Sequence, residues 1–193
     1  RVMPSGTFHP PACITSISSS STSTSNITLT TTLVLSAIDE TLATWAAERA
    51  LPKFRPQQVR EWLFKNRATH WDQMTNLPKA LREELAQRTR LWTTRIARHT
   101  QADDGTEKLL LELADGGQIE CVLLRDQVRR TICISTQVGC GMGCVFCASG
   151  LDGVDRNLTT GEILEQILRL QQLLEEGERL SHVVVMGMGE PLA

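Results

Sequence analysis

The sequence predicts an α/β fold in which a small helical segment precedes the opening strands of a parallel sheet. Three observations carry this. Apolar residues recur with helical period between Ser36 and about Thr94. Two strand-like runs flank Asp115-Gly116-Gly117, a hairpin signal. The helix pattern "LTTGEILEQILRLQQLLEEG" lies between the strands "RTICISTQV" and "HVVVMGMGEPL". A strand–helix–strand unit implies a parallel pair.

Taken in order, residues 1–35 form a Ser/Thr-rich tract, "ITSISSSSTSTSNITLTTTL", with no acidic residue before Asp39. Such composition buries too little apolar surface to fold alone, and it lacks the arginines of a transit peptide. A disordered or non-native leader is expected. Residues 36–98 read as a basic helical domain. Ser36 with Asp39 or Glu40 opens a first helix carrying Leu42 and Trp45. A second, in "PKFRPQQVREWLFKN", aligns Val59, Trp62 and Leu63 on one stripe. In "TNLPKALREELAQRT" Pro78 sits near the first turn, and Leu81 and Leu85 share a face. Trp45, Trp62, Trp71 and Trp92 are expected in the core, and His70, His99 and His182 carry no motif.

Residues 99–193 hold the hairpin, a cysteine loop and one βαβ unit. In its helix Thr159 and Glu162 make a capping box, Ile163, Ile167, Leu170 and Leu174 make the apolar stripe, and Gly177 is the expected stop.

The net charge of -2 hides an asymmetry. Between Glu48 and Arg98 stand twelve Lys and Arg against five Asp and Glu, while the rest of the chain is acidic. A polyanion partner is therefore expected for the helical segment alone. No apolar run approaches the roughly 18 residues that a membrane helix needs.

Half of the six cysteines crowd into "GCGMGCVFC", with spacing C-x3-C-x2-C. This pattern suits a metal and a reducing, cytoplasmic compartment. Three thiolates can hold zinc, an iron–sulfur cluster or nothing. Structural zinc usually takes four protein ligands, and Cys121, Cys133 and His182 lack the spacing to supply the fourth. A 4Fe-4S cluster held by three cysteines leaves one iron open to a small molecule.

The motif resembles the radical S-adenosyl-L-methionine (SAM) superfamily, in which the open iron chelates SAM and cluster reduction yields a 5′-deoxyadenosyl radical. Phe146 matches the aromatic residue that shields the cluster. "GMGEP" is similar to the superfamily's SAM-contacting turn, with Gly189 and Glu190 at the contacting positions. Together with "RNLTTGEI", these stretches resemble the RlmN/Cfr family of 23S rRNA adenine methyltransferases, over about Ile38 to Leu192. The helical segment is similar to that family's RNA-contacting domain. The resemblance implies an incomplete (β/α)6 partial TIM barrel, with Cys140, Cys144 and Cys147 as cluster ligands. It implies Cys133 as the residue that releases product from a covalent adduct and Glu120 as general base. The implied partners are 23S rRNA, tRNA as a second substrate, and an external electron donor. The implied reaction is methylation at C2 of adenine through a methylated cysteine.

C8 methylation within the same family and a non-catalytic RNA-binding metal module are the alternatives. The bland readings are a core thiol for Cys133 and a solvated strand residue for Glu120. By resemblance the family continues for roughly as many residues again past Ala193, and the methyl-carrying cysteine lies in that part. No methyl transfer is therefore expected from this chain alone, and an open sheet edge should leave its second half soft. Cys121 departs from the family pattern and reads as a small buried residue.

Overall fold

The computed structural model describes the backbone of residues 32–33 and 38–192 and side chains from 43 to 192. The expected leader is described only at Thr32–Leu33, which form a strand instead of the disordered tract expected there; Ser36 and the side chain of Leu42 fall outside the described residues.

In chain order, β1 (Thr32–Leu33) precedes the helices α1 (Ile38–Glu48), α2 (Arg55–Phe64) and α3 (Lys79–Arg88). β2 (Thr89–Arg90) follows and pairs in parallel with β1. The helical stripes pack as their spacing requires. Trp45, Val59, Leu63, Trp71, Met74, Leu81 and Leu85 form one buried cluster, with Trp62 and Trp92 at its margin. Burying a leucine of this kind stabilises by about 1.5–3 kcal/mol relative to exposure.

The chain then builds a five-stranded sheet from β3 (Arg95–Gln101), β4 (Glu107–Glu112), β5 (Gln118–Asp126), β6 (Arg129–Cys133) and β9 (His182–Val184). Its order is β3-β4-β5-β6-β9, antiparallel except for the parallel β6–β9 pair. The expected boundary between residues 98 and 99 falls inside β3. Asp115-Gly116-Gly117 turns the β4–β5 hairpin: Gly116 takes φ +87° and the Asp115 carboxylate accepts the Gly117 N–H at 3.0 Å. Helix α4 (Thr160–Gln171) makes the crossover between β6 and β9. Its capping box is complete, with the Thr159 hydroxyl accepting from the Glu162 N–H at 3.2 Å and the Glu162 carboxylate from the Thr159 N–H at 2.8 Å.

Helix α4 ties the two cores together. Leu168 belongs to the helical cluster and Leu170 to the sheet cluster of Leu109, Leu111, Ile119, Leu123 and Ile132. The Gln171 and Gln172 side chains donate to the carbonyls of Phe64 and Arg67, and the Arg67 guanidinium reaches the carbonyls of Leu174 and Glu178.

Three expectations need correction. The helix ends at Gln171, and Gly177 (φ +84°) lies in a later turn closed by Glu178 N–H to Glu175 O. Its buried face is partly polar: Glu162, Glu165 and Gln166 are buried while Ile163 and Ile167 are only partly so. "RTICISTQV" is not one strand. It breaks after Cys133, because the Gln166 amide accepts the Ser135 N–H at its oxygen (2.8 Å) and donates from its nitrogen to the Ser135 carbonyl (3.0 Å). Beyond the break β7 (Gln137–Gly139) pairs antiparallel with β8 (Val154–Asn157).

Candidate functional site

The sheet has one covered and one open face. Leu109, Leu111, Ile119, Cys121 and Leu123 point into the core against α4. Strand alternation therefore sends Lys108, Leu110, Glu120 and Val122 to the other face. Cys133 stands opposite Val122 in register, and Val184 stands beside Cys133 on β9. Glu120 and Cys133 thus share the open face. Cys121 faces the core, where burial, and then the nearby Cys133 and Glu120, push its thiol up to about 12. It is the small buried residue expected from the sequence.

Cys133 is partly covered, and burial raises its thiol above the usual range despite a hydrogen bond from the Met186 backbone. It is therefore a protonated thiol at neutral pH. Glu120 is half-exposed, and the Lys108 ammonium sits 2.9 Å from its carboxylate.

Cys140, Cys144 and Cys147 lie in the loop between β7 and β8. Gly139 enters this loop at φ +76°, and a Cβ there would sit 2.2 Å from the Gly153 carbonyl, so only glycine fits. The Cys140 N–H closes the loop base on that same carbonyl at 2.8 Å, and the Cys147 N–H bonds to Cys144 O at 3.1 Å. All three thiols are free; Cys144 is exposed and the other two partly so. Hydrogen bonds from the Ser149 hydroxyl and backbone draw the Cys147 thiol below its usual value. Among the described residues no three His, Cys, Asp or Glu side chains converge on a point that could hold a metal ion. The donors fit a thiolate-bound cluster in kind, being three unpaired, accessible thiols on a glycine-rich loop; they are not gathered. Phe146 is 90% exposed and covers none of them in this arrangement.

The "GMGEP" turn packs against the end of the β6–β7 segment. Met188 O accepts from Thr136 N–H at 2.8 Å, and the Glu190 N–H donates to the Gln137 side chain at 3.1 Å. Both glycines are required by that neighbour. A Cβ on Gly187 would lie 2.7 Å from the Ile134 carbonyl, and one on Gly189 (φ +102°) 2.7 Å from Thr136 Oγ1. Both glycines are thus packed closely against the chain itself. The Glu190 carboxylate accepts the Leu192 N–H at 3.2 Å and keeps further lone pairs open.

Sequence reasoning missed the residues that join these parts. The Ser135 hydroxyl donates to Glu120 O at 2.7 Å and accepts the Met188 N–H at 2.8 Å, while Gln166 holds the Ser135 backbone. One node thus connects the Glu120 strand, the strand break and the "GMGEP" turn. Its only sequence signal is a glutamine at a helix position that the capping box and period turn inward.

Residues 34–91 match the family model described as the ribosomal RNA large subunit methyltransferase N-terminal domain. The chain is 60% identical over 154 residues to a probable dual-specificity RNA methyltransferase RlmN of Rhodopirellula baltica, covering 80% of this chain and 42% of that protein. It is 46% identical over 153 residues to the protein of the same name from Halalkalibacterium halodurans, covering 79% and 42%. Among solved structures, a radical SAM methyltransferase from Sphaerobacter thermophilus superposes with TM-score 0.73 at 40% identity, covering 85% of this chain and 47% of that one. The chain spans less than half the length of these relatives.

Proposed function

We propose, from the chain's similarity to RlmN RNA methyltransferases, that it carries the RNA-facing and cluster-bearing part of a radical SAM enzyme that methylates C2 of an adenine. The substrate is 23S rRNA, with tRNA as a second one, in keeping with the dual specificity in the relatives' names. The observation that carries this reading is the shared open face of Glu120 and Cys133, on the sheet whose strands β6 and β9 lead into the cysteine loop and the "GMGEP" turn.

Cys140, Cys144 and Cys147 are the residues that would hold a 4Fe-4S cluster, and Glu190 with the Gly189 backbone those that would receive SAM. Bound there, the cluster and SAM supply a one-electron route to carbon–hydrogen chemistry that an electron-poor ring carbon otherwise resists. Glu120 accepts a proton at its carboxylate on the open face. Cys133 waits beside it as a neutral thiol, so that its attack as a thiolate requires a base within reach. Ser135 and Gln166 hold the two strands and the turn in register. The basic helical domain carries the polyanion.

Anaerobic reconstitution with iron and sulfide, followed by EPR of the reduced protein with and without SAM, tests the reading. A 4Fe-4S signal that SAM shifts and Cys144→Ala abolishes supports it. Zinc uptake without iron and sulfide leaves a non-catalytic RNA-binding module instead. A cluster signal indifferent to SAM would remove Gly189 and Glu190 as sufficient SAM contacts in this chain.

A further inference from the structure

The open face beside Glu120 contains a cavity of about 290 Å³ lined by Arg98, Thr100, Lys108, Leu110 and Glu120. Register explains why these five residues meet. Thr100 pairs with Lys108, Arg98 with Leu110, and Leu110 with Glu120, so three neighbouring strands project the same side. Two cations face one carboxylate. The Lys108 ammonium is 2.9 Å from Glu120, whereas Arg98 makes no ion pair among the described residues. Its neighbours on β3 are engaged differently: Arg95 is held by Glu112, and His99 by Glu107 at 2.6 Å.

We infer that Arg98 and Lys108 form an anion subsite that takes a phosphodiester of the RNA adjoining the nucleotide presented to Glu120. This rests on the RNA methyltransferase reading and adds residues and a location to it. The chemistry of the cavity selects the ligand. A guanidinium fork matches two phosphate oxygens, an ammonium adds a point charge, and the Thr100 hydroxyl is a further donor. The apolar Leu110 side chain strengthens each of these by lowering the local dielectric. The volume stands at the small end of ligand cavities, suited to a phosphate group with part of its sugar. Glu120 forms part of the wall, and Cys133 is one strand beyond it. An anchored phosphate therefore fixes the distance of the following base from both. The geometry also sets up a competition, because the Glu120 carboxylate and the phosphate bid for the same ammonium.

The test is salt-dependent binding of a fluorescein-labelled 12-nucleotide single-stranded RNA to the whole chain and its variants. Arg98→Gln and Lys108→Gln should each weaken binding roughly threefold to tenfold near 0.1 M KCl. Each should also flatten the plot of log affinity against log salt by about 0.7, the loss of one phosphate contact to a single strand. Glu120→Gln should act in the opposite direction and tighten binding about twofold to threefold, because it frees Lys108. All three residues are exposed or half-exposed, and circular dichroism should show each variant folded. RNA binding with unchanged affinity and slope in Arg98→Gln and Lys108→Gln overturns the subsite and leaves the RNA reading intact. A wild-type chain that binds no RNA at any salt overturns both together.

Discussion

Glu165 Oε1 accepts both the backbone N–H of Thr94 at 2.8 Å and its hydroxyl at 2.7 Å. Oε2 takes the Thr93 hydroxyl at 2.6 Å, and the Thr93 N–H is 3.0 Å from both oxygens. The carboxylate is wholly buried, 3.5 Å from Arg169, whose guanidinium lies 4.2 Å over the Trp92 ring and donates to Thr94 O. One side chain of α4 thus caps the segment that leaves the helical cluster for β3.

Glu165→Ala should therefore destabilise by about 3–5 kcal/mol, because four donors and a cation lose their acceptor inside the protein. Glu165→Gln keeps the shape and should cost roughly 1–3 kcal/mol. Urea denaturation monitored by tryptophan fluorescence measures both. Equal, small losses in the two variants would show that the clamp is not buried in solution.

Gly139→Ala and Gly116→Ala separate backbone strain from collision. Both glycines are left-handed, but a Cβ at Gly116 meets nothing within 4 Å, whereas one at Gly139 strikes the Gly153 carbonyl at 2.2 Å. Gly116→Ala should cost about 1–2 kcal/mol. Gly139→Ala should cost more and open the β7–β8 ribbon, read as faster amide exchange at Cys140. Matching exchange rates in the two variants would contradict this.

In metal-free protein at pH 7.5, iodoacetamide should modify Cys144 and Cys147 first. Cys144 is exposed, and the Ser149 hydrogen bonds raise the thiolate fraction of Cys147. Cys133 should follow slowly, because burial keeps it protonated, and Cys121 should react only after unfolding. Peptide mass spectrometry against time gives the order. Modification of Cys121 alongside Cys144 would place β5 differently from the structure.

Arg156 should carry an acid-dependent share of stability. Burial works to raise the Glu162 carboxyl, but the Arg156 guanidinium, bonded at 2.8 and 2.9 Å, and the Thr159 cap outweigh it and leave it below the usual range. Asp115, 2.6 Å from the same guanidinium, is lowered mainly by that bond. A depressed carboxylate stabilises fully above its unfolded value and loses that contribution as pH falls through the folded one. Stability should therefore be level at neutral pH and fall below about pH 4.5. Arg156→Ala should lower the neutral plateau and flatten the acid limb. An acid limb as steep as that of the wild type would assign the dependence to other groups.

Much of this fold is legible locally. The Thr159–Glu162 box needs only a helix start, and Asp115-Gly116-Gly117 needs only a reversal, so both appear where their spacing puts them. Glu165 and Gln166 are not legible in this way. A period that assigns apolar residues to the inner face treats a buried carboxylate or amide as an exception. Their partners, Thr93, Thr94 and Ser135, lie dozens of residues away in the chain. The same holds for the strand break after Cys133, which exists because a helix side chain captures Ser135.

By itself the sequence determined which thiols share a loop, which helices form and which segment is basic, since these depend on neighbours within a few residues. Only the tertiary structure decided that Glu120 and Cys133 face together and Cys121 faces away. It alone decided that Gly187 and Gly189 are needed against Ile134 and Thr136, and that Arg98 joins Lys108 beside Glu120. Those outcomes depend on strand register and on the distance between backbones. Long-range hydrogen bonding and packing set both, and no local pattern encodes them.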